Sequence, residues 1–223
     1  MKNKIIILFL FLSLNLYASL TFDNHISGEL DVLKTFDVET TYIYDKKFNN
    51  TIDRYSNKKH TKRFFSAMNN GYLFLPHIKE LIANSSVPDA FLYLAMAESN
   101  FKTRAYSHKS ASGIWQFMSE TGRIYGLHID QYVDERRDLI KATKSAIRYL
   151  ESLHNSFDKW YLAAIAYNCG QTRVEEALSR AILDKYVKLY PNKLHNKKIK
   201  YYYSIIRKYQ RKRVSYVRLH QVY

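Results

Sequence analysis

The residues able to do chemistry lie between Ala95 and Gln116, in AMAESNFKTRAYSHKSASGIWQ. This stretch leaves an apolar pattern at Glu98, crosses a polar loop, and re-enters apolar sequence at Ile114. Phe91, Leu94, Ala95 and Glu98 recur at helical spacing and so share one face. Glu98 closes that stripe, in the last turn of a helix facing a core. Partial desolvation and the negative end of the helix dipole both disfavour a charged carboxylate there and push its pKa up. A carboxyl placed in this way keeps its proton near neutral pH and serves as a general acid. The competing reading is a glutamate at a fraying helix end, turned to water.

The elements around this stretch read as helices. The acid's helix starts near Pro88, since proline suits a first turn. Upstream, Lys62 to Ala83 is helical with a break near Asn69 to Gly71, and Phe65, Met68, Leu73, Leu75, Ile78 and Leu81 are its expected core contacts. Asn84 to Ser86 end it. Asp31 to Tyr44 is expected to hold a short helix, and Asn49 to Thr51 a loop. Downstream, Ile114, Phe117 and Met118 begin a short helix that stops at Gly126, and Asp130 to Asp138 is a polar link. Leu139, Ile140, Ala146, Ile147, Leu150, Leu153 and Phe157 mark one apolar face of a long helix. Asp158 is placed to cap WYLAAIAYN, which is apolar nearly all round and is expected at the buried centre. Thr172 and Glu175 form a capping-box pattern for the next helix. There is no convincing period-2 strand, phosphate-binding glycine loop, zinc-like cluster or internal repeat. The expected fold class is all-α, with a small hairpin possible in the 102–113 loop, and no cofactor or metal is called for.

Three segments, AESNF at 97–101, AYSHKSASGIWQFM at 105–118 and AYNCG at 166–170, occur in an order and spacing that resemble the lytic murein transglycosylases of glycoside hydrolase family 23, most of all their membrane-bound D type. The resemblance covers about Tyr72 to Ala177. It implies a lysozyme-like α fold. It also implies that Glu98 protonates the glycosidic oxygen between N-acetylmuramic acid and N-acetylglucosamine, then takes the proton of the sugar's own 6-hydroxyl, closing a 1,6-anhydro ring without water. Carried over position by position, Ser107 and Gln116 line the glycan groove, and Gly113 lets the backbone turn tightly against the ligand. Tyr167 sets its hydroxyl near the reacting sugar, and Asn168 braces the site. Ser107 also reads as an ordinary turn residue, and Tyr167 and Asn168 as capping groups of a helix end. His108 reads as an exposed loop histidine, and Trp115 as core or groove wall. The family's further glutamate, in a segment before its last helix, has no counterpart in LHNKKIKYYYS at 194–204, where Lys197 or Lys198 stands instead.

Most glycosidases use two carboxylates, ~5–5.5 Å apart in retaining and roughly 6.5–9.5 Å in inverting enzymes. Glu98 is the one carboxylate within the three segments. Glu120, Asp130, Asp134, Glu135 and Asp138 are the candidates for a second. Asp134, Glu135 and Asp138, set among Arg136 and Arg137, read as surface ion pairs of little energetic weight.

The 223 residues carry a net charge of +15 and suffice for one domain with a sizeable core. Lys2 and Lys4, the apolar run Ile5 to Leu16 and the small Ala18 form an export signal over residues 1–18, or an uncleaved anchor. No cysteine follows the run. Cys169 stands alone, so no internal disulfide forms, and it is expected as a small buried side chain. From Lys185 to Tyr223 there are twelve Lys and Arg, eight Tyr and no Asp or Glu. That tail suits an anionic envelope polymer or membrane surface, or is an amphipathic helix with its tyrosines packed inward. A nucleic-acid partner is set aside by the export signal.

The expected organisation is a signal at 1–18, a lead-in at 19–60, the lysozyme-like domain at 61–184 and a basic, Tyr-rich helical segment at 185–223. The expected function is an exported, periplasmic or envelope-located enzyme acting on peptidoglycan strands. The alternatives are a hydrolytic muramidase of the goose-type class and a non-catalytic wall-binding protein on the same fold. Oligomeric state is left open.

Overall fold

The computed structural model describes residues 27–189. The expected export signal, and the basic tail beyond Leu189 with Lys197 and Lys198, lie outside them. The chain divides into two units, Met1–Tyr167 and Asn168–Tyr223. The described residues are helical, and β-structure among them is limited to isolated bridges. None of their helices is long and apolar enough to cross a membrane.

In the first unit, a helix over 27–35 (α1) leads through a 3₁₀ turn, Thr40–Tyr44, into α2, Lys46–Tyr55. The loop expected at Asn49 to Thr51 is instead part of α2. Asp45 caps this helix by accepting from Lys47 N (2.8 Å) and Phe48 N (2.9 Å). The polar side chains that suggested a loop satisfy backbone carbonyls locally: Asn49 Nδ2 donates to Ile43 O and Thr51 Oγ1 to Lys47 O. Helix α3, Lys58–Gly71, is capped by Asn57. After a turn, α4 runs Leu75–Ala83 with Pro76 in its first turn. Leu75 and Ile78 are buried as expected, but Phe65 and Leu73 are exposed. Leu73 sits in the turn between α3 and α4, where helical periodicity no longer fixes which way a side chain points.

Pro88 precedes a 3₁₀ turn, Asp89–Phe91, which runs into α5, Leu92–Ser99. Helix α6, Ser119–Ile124, begins later than the apolar run at Ile114 suggests, because Gln116 takes a left-handed φ of 49° and interrupts any helix there. Gly126 ends it at φ 89°, with Leu127 N donating back to Gly122 O at 2.9 Å. Helix α7, Leu139–Phe157, matches its apolar stripe except at Ile140, which is exposed. Asp138 caps it through Lys141 N at 2.8 Å. Helix α7 packs on α4.

Helix α8, Trp160–Cys169, buries Trp160, Ala163 and Ala166, but Ile165 is 50% exposed, so the all-apolar sequence does not make the helix buried on every side. Its first turn is not capped by Asp158, which ends α7 in a left-handed conformation (φ 56°). The cap comes from the other end of the unit. Asp37 Oδ2 accepts from Trp160 N at 2.8 Å, and Phe36 O accepts from Tyr161 N at 3.0 Å. Phe36 meets Phe91 at a tilt and Phe91 meets Trp160 edge to face, at centroid distances of 5.4 and 5.3 Å, and His154 lies flat on Trp160 at 4.0 Å. The lead-in thus completes the core.

In the second unit, Gly170 (φ 92°) separates α8 from α9, Gln171–Leu189. The Thr172–Glu175 capping box is not formed. The helix starts at Gln171, two residues earlier than that box would set it, and Glu175 accepts instead from Gln171 Nε2 at 3.0 Å. Cys169 is half-buried.

Candidate active site

Glu98 is the penultimate residue of α5 and is half-buried. Its helix is stopped by two consecutive left-handed residues, Asn100 (φ 52°) and Phe101 (φ 59°). Each such position costs about 1–3 kcal/mol for a non-glycine residue, so the surroundings must hold it. Phe101 is driven into the core, and Asn70 Nδ2 donates to Asn100 O at 3.0 Å. Ser99 Oγ stands 3.1 Å from Ala95 O and 2.9 Å from Ile114 O. That hydroxyl joins the end of the acid's helix to the far side of the loop.

The loop is folded back on itself by a few backbone bonds: Ser107 N to Ala111 O at 2.9 Å, Gly113 N to Ala105 O at 2.9 Å, and Ser112 N to Phe117 O at 3.0 Å. The anticipated hairpin reduces to single bridges, Tyr106 to Ser112 and Ser112 to Phe117. Ser107 Oγ accepts from Ala111 N at 3.0 Å, which leaves its own proton to donate elsewhere. Gln116 spends its amide NH₂ on Gly113 O (2.8 Å) and Ala105 O (3.3 Å), which leaves its carbonyl oxygen as the acceptor. Gly113 has φ 80°, and a Cβ on it would stand 1.7 Å from Arg136 O. The backbone it lets approach is that of the 3₁₀ turn Glu135–Arg137.

That turn holds a residue the sequence reading missed. Arg136 is only 5% exposed. Its Nε and Nη2 pair with both carboxylate oxygens of Asp134 at 2.8 Å each, and Nη1 donates to Ser110 O (2.7 Å) and Phe117 O (3.1 Å). The polar link is thus no string of surface ion pairs at Asp134. The inward-turned carbonyls of the loop need donors, and one guanidinium supplies them while Asp134 balances its charge.

Trp115 is fully buried. Its Nε1 donates to Thr143 Oγ1 of α7 at 3.0 Å, and its carbonyl accepts from Tyr167 OH at 2.8 Å. Tyr167 lies within electrostatic reach of Glu98: burial first, then the charges of Glu98 and Tyr149, hold its phenol well above the usual tyrosine range. Tyr167 is therefore neutral, with its proton committed to Trp115 O and its oxygen lone pairs left to accept. Around it stand Tyr149 at 5.1 Å and Phe117 at 6.2 Å, with Tyr125 against Tyr149 at 4.7 Å. Tyr149 was also missed, since on α7 it borders the core stripe at the spacing of any packing aromatic. Asn168 follows Tyr167 on α8 with an exposed side chain, and His108 is exposed.

Of the other candidate carboxylates, four are engaged among the described residues and Glu120 is not. Asp130 is held below its usual range by the N–H groups of Val133 and Tyr132 and by His128. Hydrogen bonds from Arg136 lower Asp134, and the Lys141 ammonium, then the His128 N–H, lower Glu135. Asp138 caps α7, and Glu120 is exposed in the first turn of α6. Among the described residues no group of three or more His, Cys, Asp and Glu is placed to hold a metal ion. The arrangement offers one half-buried carboxyl beside a neutral phenol, an aromatic wall, and a polar loop with an acceptor and a donor to spare.

Residues 76–186 match the family of the transglycosylase SLT domain. A protein of Alteromonas sp. (strain M-1), described as a tributyltin chloride resistance protein, is 36% identical over 107 residues, which is 48% of this chain and 52% of that one. Membrane-bound lytic murein transglycosylase D of Escherichia coli (strain K12) is 37% identical over 98 residues, 44% of this chain and 22% of its own length. The matched stretch thus takes in about half of the first relative and about a fifth of the second.

Proposed function

We propose that this chain, which carries a lysozyme-like transglycosylase SLT domain over residues 76–186, is an exported lytic transglycosylase of peptidoglycan. It cleaves the bond between N-acetylmuramic acid and N-acetylglucosamine and leaves 1,6-anhydro-N-acetylmuramic acid ends. The observation that carries this reading is a half-buried Glu98 within electrostatic reach of the buried, neutral phenol of Tyr167, while the other carboxylates weighed for a second catalytic role are tied or exposed. Glu98 gives its proton to the glycosidic oxygen as the bond from that oxygen to C1 breaks. The muramic acid 6-oxygen then bonds to C1, and its proton passes to Glu98, which is ready for the next cycle. Because the nucleophile belongs to the substrate, its effective concentration is very high and ring closure outruns attack by water. Ser107, Gln116 and Tyr167 supply hydrogen bonds that orient the sugars, and Gly113 keeps the loop in place. Asn168 is assigned to bracing the site from the helix end.

Hydrolysis would need a base that activates water on the opposite side of the sugar. Asp130, Asp134 and Glu135, with their lowered pKa values, are weak bases. The signal pattern at 1–18 supports export, and the basic tail is assigned to an anionic envelope surface. Digestion of purified peptidoglycan followed by mass analysis tests the reading. Anhydro products, one water lighter than lysozyme products and resistant to borohydride, are expected. Reducible ends would give the protein to the muramidases, and retained wall binding without release would make it a non-catalytic binder.

A further inference from the structure

The loop after the acid carries a charge that the mechanism does not use. Between Glu98 and Glu120 there is no acid, whereas Lys102, Arg104 and Lys109 are all exposed. None of the three forms an ion pair among the described residues. Beside them stands Arg137, on the same 3₁₀ turn as Arg136 but with the opposite environment: its side chain is 47% exposed. Its Nε donates to Ser112 Oγ at 3.1 Å, and its guanidinium carbon lies 5.9 Å from the centre of the Tyr106 ring. Tyr106 is 59% exposed and is bridged to Ser112. The nearest carboxylate, Asp134, is 3.9 Å from that same Nε, and both its oxygens are already held by Arg136. Both terminal nitrogens of Arg137 are thus without a hydrogen-bond partner among the described residues. A buried serine and an aromatic face fix the guanidinium, and its outer edge points to no partner of its own.

We infer that Arg137 and Tyr106 form, on the rim of the loop that follows Glu98, a binding site for the carboxylate-bearing peptide arm of the wall glycan; this rests on peptidoglycan being the substrate. A planar guanidinium held in place matches a carboxylate through two parallel N–H bonds, which a lysine point charge cannot do. The arm hangs from muramic acid, the sugar whose bond is cut. Lys102, Arg104 and Lys109, exposed on the same loop as Tyr106, add long-range attraction for a carboxylate. An anionic lipid surface is the weaker match, because it would use the lysines equally and has no need of a fork held in place by Ser112 and Tyr106.

The test uses Glu98→Gln protein, so that ligands survive, and soluble glycan fragments with and without their peptide arms. Calorimetric titration is expected to show about tenfold tighter binding of the armed fragment at low salt, the size of one charge-assisted contact. Adding Arg137→Gln is expected to remove that preference, and Arg137→Lys to keep part of it. Should Arg137→Gln fail to fold by circular dichroism, Tyr106→Ala is read in the same way. Equal affinity for the two fragments, or an equal loss for both on adding Arg137→Gln, overturns the site. So does a loss confined to co-sedimentation with phosphatidylglycerol vesicles. Failure of the wild-type protein to cleave walls would strike the catalytic reading alone, since the binding ratio is measured without cleavage.

Discussion

The main-chain oxygen of Arg136 occupies the space in which a side chain on residue 113 would begin: a Cβ there would be 1.7 Å away. The φ of 80° adds a second objection to any other residue. Gly113→Ala is expected to cost more than the roughly 1–3 kcal/mol of backbone strain alone, because the carbonyl must also move. Urea melts against wild type measure it. A variant of wild-type stability would mean that the Glu135–Arg137 turn shifts freely.

Glu98→Gln keeps size and shape but has no proton to give. The fold is expected to persist, with wall cleavage lowered by ~10²–10⁴-fold or more. Release of muropeptides at the wild-type rate would remove Glu98 from the mechanism.

Tyr167→Phe leaves Trp115 O without its donor, at a cost of about 1–3 kcal/mol. The pH dependence has a definite sign. Tyr167 has a raised pKa in the folded state, so its contribution is complete below the unfolded value of about 10 and fades as pH rises through the folded one, since the unfolded chain ionises first. The stability gap between wild type and Tyr167→Phe is expected to narrow above about pH 10. A gap that widens there would contradict a buried neutral phenol.

Asp134→Asn leaves the buried guanidinium of Arg136 without its counter-charge. Breaking such a pair costs ~3–5 kcal/mol. The lower end is expected, since Asp134 is itself 23% exposed and Arg136 keeps two carbonyl partners. The pKa of Asp134 is lowered on folding, so its contribution is present above the unfolded value and is lost as pH falls through the folded one. The gap to Asp134→Asn should therefore close on acidification below about pH 4. Melts at pH 7 and pH 2.5 that give the same gap would refute the pairing.

Where the sequence could be read, the signal was local. Glu98 ends a stripe that continues through Ala95 and Phe91, and α7 announces itself by Asp138 and by apolar residues on one face. Where it could not, the partner lay far away. Arg136 looks like a surface charge until the carbonyls of Ser110 and Phe117 are brought to it. Tyr149 is one more aromatic beside a core stripe until α8 brings Tyr167 within 5.1 Å. Asp158 has the better sequence position for capping α8, yet it is taken up by the end of α7.

Asp37 and Trp160, joined by the cap of α8, are 123 residues apart. A chain is synthesised from its N-terminus, so the acceptor exists long before the helix it serves. Closing so long a loop costs chain entropy before any contact repays it. The first turn of α8 thus depends on a long-range contact that can close only when residues 37 and 160 have both been made. A chain made only as far as α5 therefore carries Glu98 without α8 and without the Tyr167 hydroxyl that holds Trp115 O.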